Sequence, residues 1–263
     1  MGDSGRKTSY KRKELGGSVI GSLLVDSFKT PNQILKDALH EYEGKEAIND
    51  IANEPKVIAG RMLEPVILKM FMDRLEPFCQ DKQKVKMSVP KTAHLYQLKN
   101  GKLGSSLDGM LHISPGNLEL SDYTNKSFSL KNKVVLECKN YSGAADDEPY
   151  PAYKYQIQQA LLTTGCEYGI LVRLVKGWQL QWFIYPRDHR MIDQIINAGN
   201  DFWDRFDGIK NGHDYWYPPK DTKEASEIYR SNGSKEIQDM STHNKLGILI
   251  DQYVSASADE KEA

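Results

Sequence analysis

Apolar residues in the first part of the chain recur at helical spacing. Thr30 and Pro31 are typical of a helix N-terminus, and an apolar stripe follows them from Ile34 to Leu39. A longer stripe of the same period predicts a second helix from about Pro55 to Leu75. The chain therefore opens with amphipathic helices that need a common surface to pack on.

After residue 84 the pattern changes to the alternation of β-strands, interrupted by two helical stretches over 152–164 and 188–206. Asn100 and Gly101 indicate a hairpin turn. Residues 114–132 are polar and rich in turn formers, so we expect a long connection there. Strands are predicted over 84–89, 94–98, 103–113, 133–139, 168–175 and 178–185.

Strands with helices before, between and after them predict an α/β (α+β) fold, with a central mixed β-sheet flanked by helices on both faces. We expect a flexible N-terminus over 1–10 and one domain over 11–219. The remaining residues, 220–263, are expected to form a partly ordered C-terminal extension.

Composition and charge narrow the class of protein. The chain has 263 residues, of which 39% are hydrophobic and 27% charged, as in ordinary soluble globular proteins. Because the formal net charge is −1, any nucleic-acid-binding surface must be local. No apolar run reaches membrane-spanning length, and no charged-then-apolar leader opens the chain. We therefore expect a cytoplasmic protein that makes no membrane contact.

The cysteines and histidines disfavour a transition-metal framework. Cys79, Cys138 and Cys166 are far apart, and no Cys-x-x-Cys motif is present. The six histidines are scattered, and none has His-x-x-x-His spacing. A bound metal would have to be a hard ion held by oxygen ligands.

The predicted strand over 133–139 ends in an unusual way. Alternation places Glu137 and Lys139 on one face with Val135, and Cys138 on the other. Glu and Lys are rarely buried unless they are paired or coordinated. Glu-x-Lys at the tip of an apolar strand is therefore a candidate site of chemistry.

Two further carboxylates are candidates. Asp108 lies among apolar residues before Gly109, where it is either a turn residue or a carboxylate turned towards a metal. Glu64 flanks the apolar stripe of its helix, a position that is usually solvated. If the strands of Asp108 and Glu137 are adjacent, both carboxylates and a backbone carbonyl can hold Mg²⁺ or Mn²⁺. A neighbouring Lys139 could then orient or deprotonate a metal-bound water.

Near the N-terminus, basic residues precede Gly16, Gly17 and Ser18 at the start of a short apolar helix. Backbone N–H groups in such a segment can form an anion pocket. The alternative is a flexible loop that enters a core helix.

Taken in order, five motifs resemble the PD-(D/E)XK nuclease superfamily, with its restriction-endonuclease-like core. Within it, the chain is similar to the YqaJ-type viral recombinase branch that includes phage lambda exonuclease, over about residues 11–207. Leu107 stands where the superfamily motif has Pro, and 114–132 lengthens the segment between the two acidic motifs. The motifs are Leu15-Gly-Gly-Ser18, Gly60-Arg-Met-Leu-Glu-Pro65, Ser106-Leu-Asp-Gly109, Glu137-Cys-Lys139, and Tyr155-Gln-Ile-Gln158 with Thr164-Gly165.

The resemblance implies roles for the acidic motifs. Asp108 and Glu137 match the metal-binding carboxylates, and the backbone carbonyl of Cys138 would complete that set. Lys139 matches the catalytic lysine. Glu64 matches the helix glutamate that approaches the metal.

The remaining motifs imply contacts with water and DNA. Gln158 matches the glutamine placed to touch the attacking water or the phosphate, and Gln156 is assigned to DNA binding. Ser18 matches a residue that binds the terminal 5′-phosphate of DNA. Lys11, with Arg12 beside it, holds the register of a basic residue with the same role.

The function implied by the resemblance is Mg²⁺-dependent 5′→3′ digestion of one strand of linear double-stranded DNA that carries a 5′-phosphorylated end. The 3′ single strand left behind would serve a single-strand annealing recombinase. A homo-oligomer, a trimer as in lambda exonuclease, is also implied. Two alternatives stay open: an end-independent endonuclease of the same superfamily, and a non-catalytic DNA-binding protein. A Cas4-like nuclease is disfavoured because its cysteine cluster is absent.

Overall fold

The computed structural model describes residues 14–45, 54–78, 85–89, 95–98, 102–229 and 252–253. The chain divides into two compact units, 1–218 and 219–263. In the second unit the longest described element is one helix, Thr222–Tyr229. Lys11 and Arg12, the N-terminal segment 1–10 and the predicted turn at Asn100-Gly101 lie outside the described residues.

The elements of the first unit follow one another in this order: β1 (Leu15–Gly16), α1 (Gly17–Leu24), α2 (Pro31–Tyr42), α3 (Pro55–Leu75), β2 (Val85–Ser88), β3 (Leu95–Gln97), β4 (Leu103–Ser106), β5 (Gly109–Ser121), β6 (Ser127–Tyr141), α4 (Pro151–Thr164), β7 (Tyr168–Val175), β8 (Gln179–Pro186) and α5 (His189–Lys210).

The main sheet has five strands in the order β2-β5-β6-β7-β8. The β6–β7 pair is parallel and the other pairs are antiparallel, so the sheet is mixed, as predicted. A smaller sheet of three strands has the order β1-β4-β3. The predicted fold class, a mixed sheet flanked by helices, is confirmed.

Two expectations about the strands are wrong. The predicted strand over 103–113 is two strands in different sheets, because the chain turns at Leu107 and Asp108 between β4 and β5. The predicted connection over 114–132 is the tip of a long hairpin, in which β5 and β6 pair as far as Ser121 and Ser127. Its apolar residues alternate inwards and pack in the core, which explains why this polar segment forms strands.

The core lies on both faces of the main sheet. Ile67, Leu68 and Phe71 of α3 pack on the face that carries Leu136 and Cys138. On the opposite face, Val135 packs against α4. A third cluster joins α1, α2 and α5 to the small sheet. Helices α3 and α4 therefore sandwich the strand β6 on which the candidate chemistry lies.

In the part of the chain that the structure describes, no helix combines the length and the hydrophobicity needed to cross a membrane.

Candidate active site

The two candidate carboxylates meet at one edge of the main sheet. Gly109 at the start of β5 pairs with Leu136 of β6, so Asp108 lies beside the next residue, Glu137. The Oδ2 atom of Asp108 accepts a hydrogen bond of 2.7 Å from the backbone N–H of Cys138. This contact between residues thirty positions apart fixes the Asp108 carboxylate against β6, three residues before the strand ends at Tyr141.

The backbone of Cys138 presents its polar groups to Asp108. In a strand, the N–H and C=O of one residue point to the same neighbouring strand. Because the Cys138 N–H donates to Asp108, its carbonyl also points to that side. The Cys138 thiol packs in the core on the α3 face, and burial raises its pKa. The carbonyl, rather than the thiol, is available to a ligand at this edge.

Lys139 and Glu137 lie on the opposite face of β6 from Cys138, as alternation predicts. The Nζ atom of Lys139 donates to Oε1 of Glu137 at 2.5 Å. The same ammonium lies 5.1 Å from the centre of the Tyr153 ring, an aromatic face that favours a cation. Glu137 is 3% exposed, whereas the side chain of Lys139 is 23% exposed, so the carboxylate is buried and the ammonium is partly accessible.

Burial and neighbouring charges shift the pKa values of the residues at this site. Burial raises the pKa of Glu137 to about 7, with further increases from Asp108 and Glu64, despite the opposing effect of Lys139. Burial also raises the pKa of Asp108. Burial opposes the charge of Lys139, yet Glu137 and Asp108 hold its pKa above the ordinary value. Perturbed ionisable groups that share an edge of the sheet are typical of a functional site.

Glu64 approaches the site from α3. It is half-buried, and its charge acts on both Glu137 and Cys138. One turn later, Leu68 packs so closely that a Cβ at Gly109 would lie 3.1 Å from its Cδ2 atom. Gly109 therefore lets α3 approach the start of β5, which brings Glu64 towards the carboxylates.

The two glutamines of α4 are placed differently from the prediction. Gln156 donates a hydrogen bond of 2.6 Å from Nε2 to Oε1 of Glu137. Gln158 is 0% exposed, donates to the carbonyl of Pro186 and accepts from the N–H of Asp188. A contact of Gln158 with the water or the phosphate stays a prediction, and here its amide is engaged by backbone groups of Pro186 and Asp188. Gln156 is the glutamine of this pair that contacts Glu137.

The N-terminus of α1 lies beside Gln156. A Cβ at Gly17 would be 3.4 Å from Cγ of Gln156 and 3.6 Å from Oγ of Ser105. Ser18 is the next residue and is exposed. The Oγ of Ser105 is buried and has no hydrogen-bond partner among the described residues. The N-terminus of α1 is therefore next to Gln156, which contacts Glu137.

Sequence reasoning missed Tyr153 and Ser105. Tyr153 precedes Gln156 by three residues and so lies on the same side of α4, a spacing that could have identified it. Ser105 offered no signal, because its place beside Gly17 depends on the small sheet.

The donor set suits a hard metal ion. Asp108, Glu137 and the Cys138 carbonyl supply oxygen atoms, which Mg²⁺ prefers, and Mg²⁺ often uses only one or two carboxylates. Among the described residues, no group of three or more His, Cys, Asp and Glu side chains is arranged to hold a metal. The residues present therefore fit an ion that keeps several waters and uses few protein ligands.

Comparisons with known proteins find a matching family model and solved structures with a similar fold. A family model, the YqaJ-like viral recombinase domain, matches residues 8–167. The alkaline exonuclease LHK-Exo from Laribacter hongkongensis has a similar structure, with a TM-score of 0.52 and 14% identity over 75% of this chain and 89% of that chain. Its complex with dAMP gives the same values.

A phage-related exonuclease from Haemophilus somnus 129PT is also similar, with a TM-score of 0.50 and 9% identity over 76% of this chain and 96% of that chain. At these identities the likeness shows the fold. No curated protein matches the chain in sequence.

Proposed function

The chain belongs to the family of YqaJ-like viral recombinase domains, and from this premise we propose that it is a Mg²⁺-dependent 5′→3′ exonuclease. Its substrate is linear double-stranded DNA with a 5′-phosphorylated end, and its product is a 3′ single strand. Such a strand is suited to an annealing recombinase, which we propose as its partner.

One observation carries this proposal: Asp108, Glu137 and Lys139 are brought together at one edge of the sheet. Asp108 is fixed by the Cys138 N–H at 2.7 Å, and Lys139 is fixed by Glu137 at 2.5 Å. Two carboxylates for a metal and one ammonium for a phosphate are the groups that phosphodiester hydrolysis needs.

A divalent ion bound at this site would supply a nucleophile from water and charge stabilisation for the reacting phosphate. Asp108, Glu137 and the Cys138 carbonyl would hold it. The Lys139 ammonium has three N–H donors, of which one is given to Glu137. The others suit the attacking water or a phosphate oxygen. Gln156 and Lys139 both donate to Oε1 of Glu137, which fixes the orientation of that carboxylate.

The N-terminus of α1 supports a requirement for a 5′-phosphate. Helix N-termini favour anions because their N–H groups are unpaired and the helix dipole is positive there. Ser18 is exposed at this end, next to Gly17, which lies against Gln156. A phosphate bound there would lie close to the carboxylates and would give the digestion its polarity. Lys11 and Arg12 remain predicted contributors to the same pocket.

The test compares linear duplex with a 5′-phosphate, the same duplex with a 5′-hydroxyl, nicked circular DNA and closed circular DNA, each in Mg²⁺ and in EDTA. We expect rapid digestion of the first substrate, slower digestion of the second, no cutting of closed circles, and no reaction in EDTA. Ser18→Ala should reduce the preference for the 5′-phosphate without slowing digestion of the 5′-hydroxyl substrate.

The same assay separates the alternatives. Cutting of closed circles at the rate of linear DNA would identify an end-independent endonuclease. Binding of DNA without hydrolysis in either Mg²⁺ or Mn²⁺ would identify a non-catalytic DNA-binding protein.

We also propose that the protein is a homo-oligomer. Light scattering of the purified chain should give a multiple of the 29.9 kDa chain mass. A mass three times that of the chain would support a trimer, and a monomer mass would contradict the proposal.

A further inference from the structure

Three aromatic rings lead from the Lys139 ammonium to the protein surface. Tyr153 lies under this ammonium, 5.1 Å from Nζ to the ring centre. Tyr150 packs edge-on against Tyr153, with ring centres 5.7 Å apart. Phe28 packs on Tyr150, with ring centres 5.5 Å apart and a tilt of 42°. The rings form a continuous path that starts at the proposed catalytic centre.

The outermost ring is exposed although its segment is held firmly. Phe28 is 86% exposed, so its side chain contributes little to the core. The segment that carries it is fixed on both sides, because the Tyr150 hydroxyl donates to the carbonyl of Asp26 and Lys29 pairs with Asp37 at 2.6 Å. A large aromatic side chain held in water at a fixed place offers its ring to a ligand.

We propose that Phe28 and Tyr150 form a stacking platform for an unpaired base of the DNA next to the bond that is cut. This inference rests on the proposed nuclease function and adds a base-binding site to it. Every base has a π-face, so stacking on an aromatic ring holds a nucleotide without selecting its sequence. Such a contact suits an enzyme that shortens DNA of any sequence.

The charges around the platform favour a base over a phosphate. Asp146 and Glu148 are exposed in the loop that leads to Tyr150, and they would repel a phosphate placed on the rings. Lys154 is exposed on α4, one turn after Tyr150, where it suits the phosphate that flanks a stacked base. A neutral base on the rings with its phosphate towards Lys154 satisfies both sets of charges.

The experiment tests each protein variant on DNA substrates that lack a single base. Binding of fluorescent 5′-phosphorylated duplexes is measured in Ca²⁺, and digestion is measured in Mg²⁺, for substrates with one abasic site at each of the first terminal positions. The variants are Phe28→Ala, Phe28→Leu, which keeps an apolar side chain, and Phe28→Tyr, which keeps the ring. Tyr42→Ala is the matched control, because Tyr42 is another exposed aromatic that packs on Phe206.

We expect Phe28→Ala and Phe28→Leu to weaken binding by about 5- to 10-fold, the lower part of the range for one stacked base. Phe28→Tyr and Tyr42→Ala should bind like the wild type. At one abasic position the affinity of the wild type for DNA should fall by the same factor, while the affinity of Phe28→Ala should not fall further.

Three results would overturn the platform. The first is DNA binding by Phe28→Ala that equals that of the wild type. The second is an equal further loss of affinity in wild type and Phe28→Ala at every abasic position. The third is a changed oligomeric state of Phe28→Ala, which would mean that Phe28 contacts another copy of the chain. A wild type that digests no DNA would instead reject the proposed function, so the two failures are distinguishable.

Discussion

Replacing Arg173 by Met should destabilise the protein more than the same replacement of a less buried arginine, although Arg173 lies outside the proposed active site. Arg173 on β7 is 1% exposed and makes hydrogen bonds to Gln181 and to the carbonyls of Ala145 and Asp147. Its guanidinium also lies over the ring of Tyr141. It therefore fastens the loop that connects the candidate site on β6 to α4.

The magnitude follows from the groups left behind. Met fills much of the apolar volume of Arg173 but makes none of its hydrogen bonds. The Oε1 atom of Gln181 and the Asp147 carbonyl lose a charged donor, and each buried group left unpaired costs about 1–3 kcal/mol. The Ala145 carbonyl also loses Arg173 but keeps its hydrogen bond from Nε2 of Gln181. Because the loop can rearrange so that water reaches its carbonyls, we expect a total loss of about 3 kcal/mol in the free energy of unfolding.

The assay is urea denaturation monitored by tryptophan fluorescence, with Arg205→Met as the matched control. Arg205 also lies over two aromatic rings, those of Tyr215 and Tyr217, and it donates to the carbonyl of Trp216. Its side chain is 18% exposed, and its pair with Asp201 is only part-buried. Because water reaches these groups more easily than those around Arg173, we expect the control to lose less, about 1 kcal/mol. A loss for Arg173→Met no larger than that of the control would refute the reasoning.

Three further predictions concern the site and its supports. Gln156→Ala should lower the rate of DNA digestion in Mg²⁺ while leaving the melting temperature nearly unchanged. Gln158→Ala should instead lower the melting temperature, because it removes two part-buried hydrogen bonds to the backbone of Pro186 and Asp188. Equal effects of the two variants on both quantities would contradict this. Gly21→Val should destabilise the chain in urea denaturation, because even a Cβ at Gly21 would lie 2.7 Å from that of Ala152; full stability would show that α1 and α4 are not so close. Mg²⁺ at 100 times its dissociation constant should raise the free energy of unfolding of the wild type by about 2.7 kcal/mol, as measured by calorimetry, and that of Asp108→Asn by much less. An equal increase in both proteins would show that Asp108 is not part of the metal site.

The meeting of Asp108 and Glu137 was predictable from the sequence. Strands that follow one another usually pair, and alternation along β6 puts Glu137 and Lys139 on one face. The resemblance to the family motifs added the expectation that these residues act together in one site. The separation of Cys138 onto the α3 face followed from the same alternation.

Other features depend on tertiary structure and could not be predicted. The break at Leu107 exists because the chain passes from the small sheet to the large one, and a strand pattern does not reveal which sheet it joins. The polar composition of 114–132 obscured its alternation. Residues two positions apart on a helix are about 200° apart, so a motif that contains Gln156 and Gln158 does not by itself tell which one faces the site. Phe28 lies in a turn, where no periodicity indicates its neighbours.

The central claim is that Asp108, Glu137 and Lys139 form a site that cuts DNA, and Lys139→Ala tests it most directly. The measurement is the rate of nucleotide release from 5′-phosphorylated linear duplex in Mg²⁺, with Lys69→Ala, a variant of an exposed lysine on α3, as the control. We expect Lys139→Ala to lower the rate by at least about 100-fold, with melting temperature and DNA binding retained, and Lys69→Ala to match the wild type. Full Mg²⁺-dependent digestion by Lys139→Ala would contradict the account.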